Sequence, residues 1–144
     1  MMKESLFALR NGCVVLIGVL LCTAPAWAAS SQSLEGGKRL YTKNCGSCHG
    51  RDAKGDGPLA STLKTKPADL TLLAKKHGGQ FPYMDVVDLI DGASSSPSHG
   101  GAEMPVWGET FQSDTSSGGN AMDQAMVRGR LMQLTDYLRS IQAQ

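Results

Sequence analysis

The chain has 144 residues, with 14 Lys and Arg against 13 Asp and Glu, a formal net charge of +1, and 41% apolar residues. That length allows one modest domain. So even a charge balance gives no basis for nucleic-acid binding.

The first segment reads as an export signal. Met1 to Arg10 carries Lys3 and Arg10, and residues 13–22 form an apolar run too short to span a bilayer comfortably. Ala24-Pro25-Ala26-Trp27-Ala28 then places small residues where a signal peptidase reads. Residues 1–28 are therefore expected to be a signal peptide cleaved near Ala28, leaving 29–144 as the mature domain with no stable membrane insertion. An uncleaved N-terminal anchor is the alternative. Lipidation at Cys22 is disfavoured because Leu21 stands where a small residue is needed. Cleavage removes Lys3, Glu4 and Arg10, taking the formal charge from +1 to 0. It also removes Cys13 and Cys22, so Cys45 and Cys48 are the only cysteines of an exported chain, in a compartment where thiols are oxidised or otherwise consumed.

In chain order, Ser33 is placed to cap a helix in which Leu34, Leu40 and Tyr41 share a face. Gly36 and Gly37 lower its propensity; they fit either close approach by another helix or a frayed start. The helix should end at Cys45-Gly-Ser-Cys48-His49, two cysteines two residues apart followed at once by histidine. That pattern reads as covalent attachment of a c-type haem, both thiols adding to the vinyl groups and His49 reaching the iron as proximal ligand. The same cysteine spacing also serves redox dithiols, zinc half-sites and disulfides. The first lacks a βαβ setting here, and the second lacks partner ligands. The following stretch, Gly50 to Pro58, is rich in Gly, Asp and Pro and should form a tight loop. Such a loop can set a backbone carbonyl against the Nδ1–H of His49, and Pro58 is the residue expected to frame it.

Thr65-Lys66-Pro67-Ala68-Asp69-Leu70 breaks the chain and leads into a short helix through Leu70, Leu72 and Leu73, ended by Gly78-Gly79. A second short helix is expected from Met84 to Ile90, closed by Asp91-Gly92. Residues 93–103 should be loop, leading to Met104-Pro105-Val106-Trp107-Gly108, and polar residues 112–124 a second surface loop. The last helix has the clearest pattern, with Val127, Leu131, Leu134, Leu138 and Ile141 in an apolar stripe bordered by Tyr137. No stretch alternates with period two, so the fold class is all-α.

For the sixth position of the iron, Met104 precedes Pro105, which stops its segment from continuing as helix. Met84, Met126 and Met132 fall on expected helices and read as core residues; Met122 lies in a polar loop. His77 and His99 read as surface residues. Charge is unevenly distributed along the mature chain. Lys and Arg cluster between Lys38 and Lys76, and none occurs from His77 to Val127, where Asp85, Asp88, Asp91, Glu103, Glu109, Asp114 and Asp123 lie. This is either ordinary surface or a dipole that orients the protein on a partner.

These residues resemble the class I c-type cytochromes, specifically small exported bacterial monohaem proteins. The resemblance rests on Gly37-Lys38-Arg39-Leu40-Tyr41 before the haem motif, Gly55-Asp56-Gly57-Pro58, Lys66-Pro67-Ala68-Asp69-Leu70, Met104-Pro105-Val106-Trp107-Gly108 and Leu134-Thr135-Asp136-Tyr137-Leu138. It implies a bundle of about four to five helices around one haem c, the first and last helices crossing near it, with His49 and Met104 on opposite faces of the iron. It further implies Pro58 on the proximal side, and Trp107 with residues around Lys66 and Asp69 at the haem or its propionates. The function implied is single-electron transfer in the periplasm, as a soluble carrier or as the cytochrome subunit of a dehydrogenase or terminal oxidase, with no small-molecule substrate at the iron. The alternative is a five-coordinate haem protein with catalytic or gas-binding activity.

Overall fold

The structure, a computed structural model, describes residues 26–93, 104–114 and 120–143. The sequence-expected loop 93–103 lies outside these except at Ala93, as do the leader before Ala26 and His99. Six helices are described: α1 (Ala26–Asn44), α2 (Gly46–His49), α3 (Leu73–Lys76), α4 (Tyr83–Asp91), α5 (Trp107–Ser113) and α6 (Ala121–Ser140). Short 3-10 turns lie at Ala60–Thr62 and Leu70–Leu72. No strand occurs among the described residues, in agreement with the all-α expectation.

The frame is the packing of α1 on α6. A methyl group on Gly37 would overlap the Gln133 carbonyl oxygen and lie 2.8 Å from Tyr137 Cβ. The two backbones therefore touch where a side chain has no room, which settles the glycine pair as a close-approach point. Immediately beyond it the Tyr41 and Tyr137 rings meet with centroids 5.4 Å apart. Tyr41, Val86, Val87, Ile90, Phe111, Leu131, Leu134 and Leu138 are buried as one cluster shared by α1, α4, α5 and α6. Each large apolar side chain so buried contributes on the order of 2 kcal/mol.

Several boundaries differ from the sequence expectations. Ser33 does not cap α1, because the helix already runs from Ala26, and alanines at 26, 28 and 29 favour helix on the N-terminal side of it. Helix α5 spans Trp107–Ser113 with Phe111 fully buried, so Gln112 and Ser113, expected in the second surface loop, are helical. Residues 121–124 belong to α6, not to a surface loop. Asn120 caps α6, accepting from the Met122 and Asp123 amides, while the Asp123 carboxylate accepts from the Asn120 amide. Met84, Met126 and Met132 are not core residues: they are 51%, 47% and 43% exposed. The two on α6 sit off the 127/131/134/138 stripe, and that stripe faces the bundle.

A candidate haem-attachment site

The Cys-x-x-Cys-His motif forms its own helical turn. The Cys45 amide still bonds to the Tyr41 carbonyl, and the Cys48 and His49 amides both bond to the Cys45 carbonyl, at 3.1 and 2.9 Å. Residues three and four apart on such a turn lie on one face, so both thiols and the imidazole project to the same side. Both thiols are free, Cys45 buried and Cys48 half-buried. Burial, with Cys48 adding to it, pushes the Cys45 thiol up to about 12.

The loop expected after His49 is present and is sewn to the motif. The amides of Gly55, Gly57 and Leu59 bond to the carbonyls of His49, Cys48 and Ser47 at 2.8, 3.1 and 2.9 Å. Gly57 lies so close that a Cβ there would overlap the Ser47 carbonyl. Tyr41 closes the other side, its hydroxyl donating to the Gly50 carbonyl at 2.6 Å.

The imidazole is held from a different place than the sequence indicated. His49 Nδ1 lies 3.0 Å from the Ala68 carbonyl oxygen, not from a carbonyl in the loop framed by Pro58. Pro58 itself is exposed and follows Gly57 at the edge of that loop. The reason is in the next segment. Pro67 and the Asp69 cap turn residues 67–71 back over the loop, with the Leu70 amide bonding to the Ala53 carbonyl at 2.8 Å. The Asp69 carboxylate accepts from the Thr71 amide and hydroxyl at 2.9 and 2.6 Å, bonds that hold it below the usual carboxylate range. A carbonyl can only accept, so in the neutral ring the His49 proton sits on Nδ1 and Nε2 keeps its lone pair. Burial lowers the His49 pKa, against the opposing bond to Ala68, and so favours the neutral ring that a metal ligand requires.

Met104 is half-buried and packs against the core cluster; Trp107 does likewise at the start of α5, its ring 6.3 Å from that of Phe111. His77 is exposed, with its Nδ1 2.8 Å from the Leu73 carbonyl of its own segment.

The residues fit a covalently attached haem. Two unpaired thiols and a neutral, oriented imidazole share one face of a turn, and half-buried Leu70, Leu73, Phe81 and Met104 offer apolar surface continuous with the core. They do not fit a small ion alone, since no three His, Cys, Asp or Glu side chains among the described residues converge to hold one. Sequence reading missed Ala68, whose contribution is a backbone atom; the signal was the Pro67-Ala68-Asp69 turn chemistry.

The cytochrome c family model matches residues 34–142. No curated protein and no solved structure matches the chain. Together with the Cys45/Cys48/His49 turn, a match over most of its length shows that this chain belongs to the cytochrome c family, all-α proteins that carry covalent haem c and transfer electrons.

Proposed function

We propose that this chain is a periplasmic monohaem electron carrier whose haem would be attached through Cys45 and Cys48 and held at the iron by His49 and Met104. The observation that supports the reading is the His49 ring, held through Nδ1 by the Ala68 carbonyl at 3.0 Å, on the same helical turn as the two free thiols of Cys45 and Cys48. When bound, the haem supplies a single-electron couple, and the protein sets its potential, exposure and docking. His49 contributes a neutral nitrogen donor. Met104, a soft thioether, would be the second protein ligand, favouring the ferrous state and keeping small-molecule substrates from the iron. Leu70, Leu73 and Phe81 exclude water from the apolar side.

In this reading residues 1–28 are a signal peptide removed near Ala28, and 29–144 form the working domain. No helix among the described residues is long and apolar enough to cross a membrane. The partner is a redox protein, a dehydrogenase or a terminal oxidase, docking transiently through a small interface at the haem edge. Pro58 on the proximal side and Trp107 on the other are proposed to border the haem.

The absorption spectrum tests the ligation. Wild-type protein is expected to be low-spin with a weak long-wavelength sulfur-to-iron band and no CO binding, and Met104→Ala to turn high-spin and bind CO. Wild-type protein that is high-spin and takes up CO would instead support a five-coordinate gas-binding or catalytic protein.

A further inference from the structure

The strap that presents the Ala68 carbonyl to His49 is held from behind by one side chain at the chain's far end. Gln142 follows α6, and its amide is fully used. Its Oε1 accepts from the Ala74 amide at 2.8 Å, and its Nε2 donates to the Leu70 carbonyl at 2.8 Å and the Leu138 carbonyl at 2.7 Å. An amide N–H can meet only an acceptor and a carbonyl only a donor, so the network fixes which way the amide faces. Next to it the Ala143 amide bonds to the Thr71 carbonyl at 2.8 Å. Three backbone groups of residues 70–74 are thereby tied to the end of α6. On its other side the strap has the Leu70–Ala53 bond. Ala68 sits two residues from this doubly anchored point, with its carbonyl on His49.

We infer that Gln142 is a positioning residue for the axial histidine: it holds the 67–74 strap so that the Ala68 carbonyl stays on His49 Nδ1, and the C-terminal turn thereby sets the donor strength of His49 toward iron. The physical link is the partner on the second nitrogen. A carbonyl accepting from Nδ1–H fixes the ring and raises the basicity of Nε2, and a stronger donor stabilises the oxidised metal. A strap released from Gln142 lets that bond lengthen, which weakens the donor and raises the reduction potential. No other residue type meets the site, because only a primary amide offers one acceptor and two donors at this reach. The inference rests on the haem reading above and concerns a residue well away from the Cys45–His49 turn in sequence.

The test uses haem-loaded protein. Gln142→Met keeps length and stem while removing all three bonds; Gln142→Glu keeps the acceptor but sets lone pairs against the Leu70 and Leu138 carbonyls. Each is expected to raise the midpoint potential and to speed solvent exchange of the His49 Nδ1 proton, read by NMR in the ferrous state, by about tenfold, the size of one ordinary hydrogen bond. If one variant does not fold, the other carries the test. Ser140→Ala is the control, since its hydroxyl bonds only to Tyr137 of its own helix; it should leave both readings at wild type. Wild-type potential and exchange in the Gln142 variants, or an equal change in Ser140→Ala, overturns the positioning role and leaves the haem reading intact. Wild-type protein without covalent haem overturns both.

Discussion

A single methyl group separates two glycines whose substitution should have opposite effects. Gly37 faces the Gln133 backbone at the α1–α6 contact, where nothing can yield without parting the helices. Gly37→Ala is expected to cost about 3 kcal/mol, read as a lower denaturation midpoint with unchanged slope. Gly129, on the exposed face of α6, has no atom within 4 Å of the same added methyl. There the change removes only backbone freedom from the unfolded chain, and Gly129→Ala should stabilise by about 1 kcal/mol in the same assay. Both glycines cost helix propensity on paper, and their neighbours decide the sign.

At the scale of the element, the start of α6 depends on two side chains rather than on its apolar stripe. Asn120 takes up two otherwise orphaned amides and Asp123, buried at 3% exposure, returns a bond to the Asn120 amide. Asn120→Ala is expected to lower stability by about 1 kcal/mol, seen as a drop in Tm of several degrees. The Asn-x-x-Asp signature was available in the sequence, but Gly118-Gly119 and the polar surroundings masked it. The short α5 gave even less signal, because Phe111 is its only large side chain that is fully buried. By contrast α4 and the core of α6 were legible, since Val86, Val87 and Ile90, and Leu131, Leu134 and Leu138, repeat at helical spacing and are buried as that spacing requires.

At the scale of the whole molecule, α1 is mainly basic and α4 and α5 are acidic, while α6 carries both signs. Lys38, Arg39 and Lys43 are exposed on α1, whereas Asp85 and Asp88 are exposed on α4 and Glu109 on α5. The zones touch at the exposed Lys43–Asp114 pair, 3.9 Å apart, too solvated to neutralise either. Electron exchange with a charged partner is therefore expected to slow several-fold between about 10 mM and about 200 mM salt, as screening shortens the reach of the steering field. Stopped-flow rates that stay flat over that range would show the asymmetry to be ordinary surface.

The sequence by itself determined the Cys45-to-His49 turn and the helical class. Cys45, Cys48 and His49 are neighbours in the chain, and their placement on one face needs only a helical turn; the apolar stripe of α6 is likewise a local pattern. Tertiary structure decided everything that depends on partners distant in the chain: that Gly37 is a contact and not a fray, that the methionines at 84, 126 and 132 face outward, and that Ala68 rather than the loop at Pro58 holds the His49 ring. The physical reason is that a backbone carbonyl carries no residue-type signature. Which carbonyl reaches Nδ1 is fixed by how the 67–74 strap is clamped between Ala53 and Gln142, and that clamp exists only once the turn after α6 has met the middle of the chain.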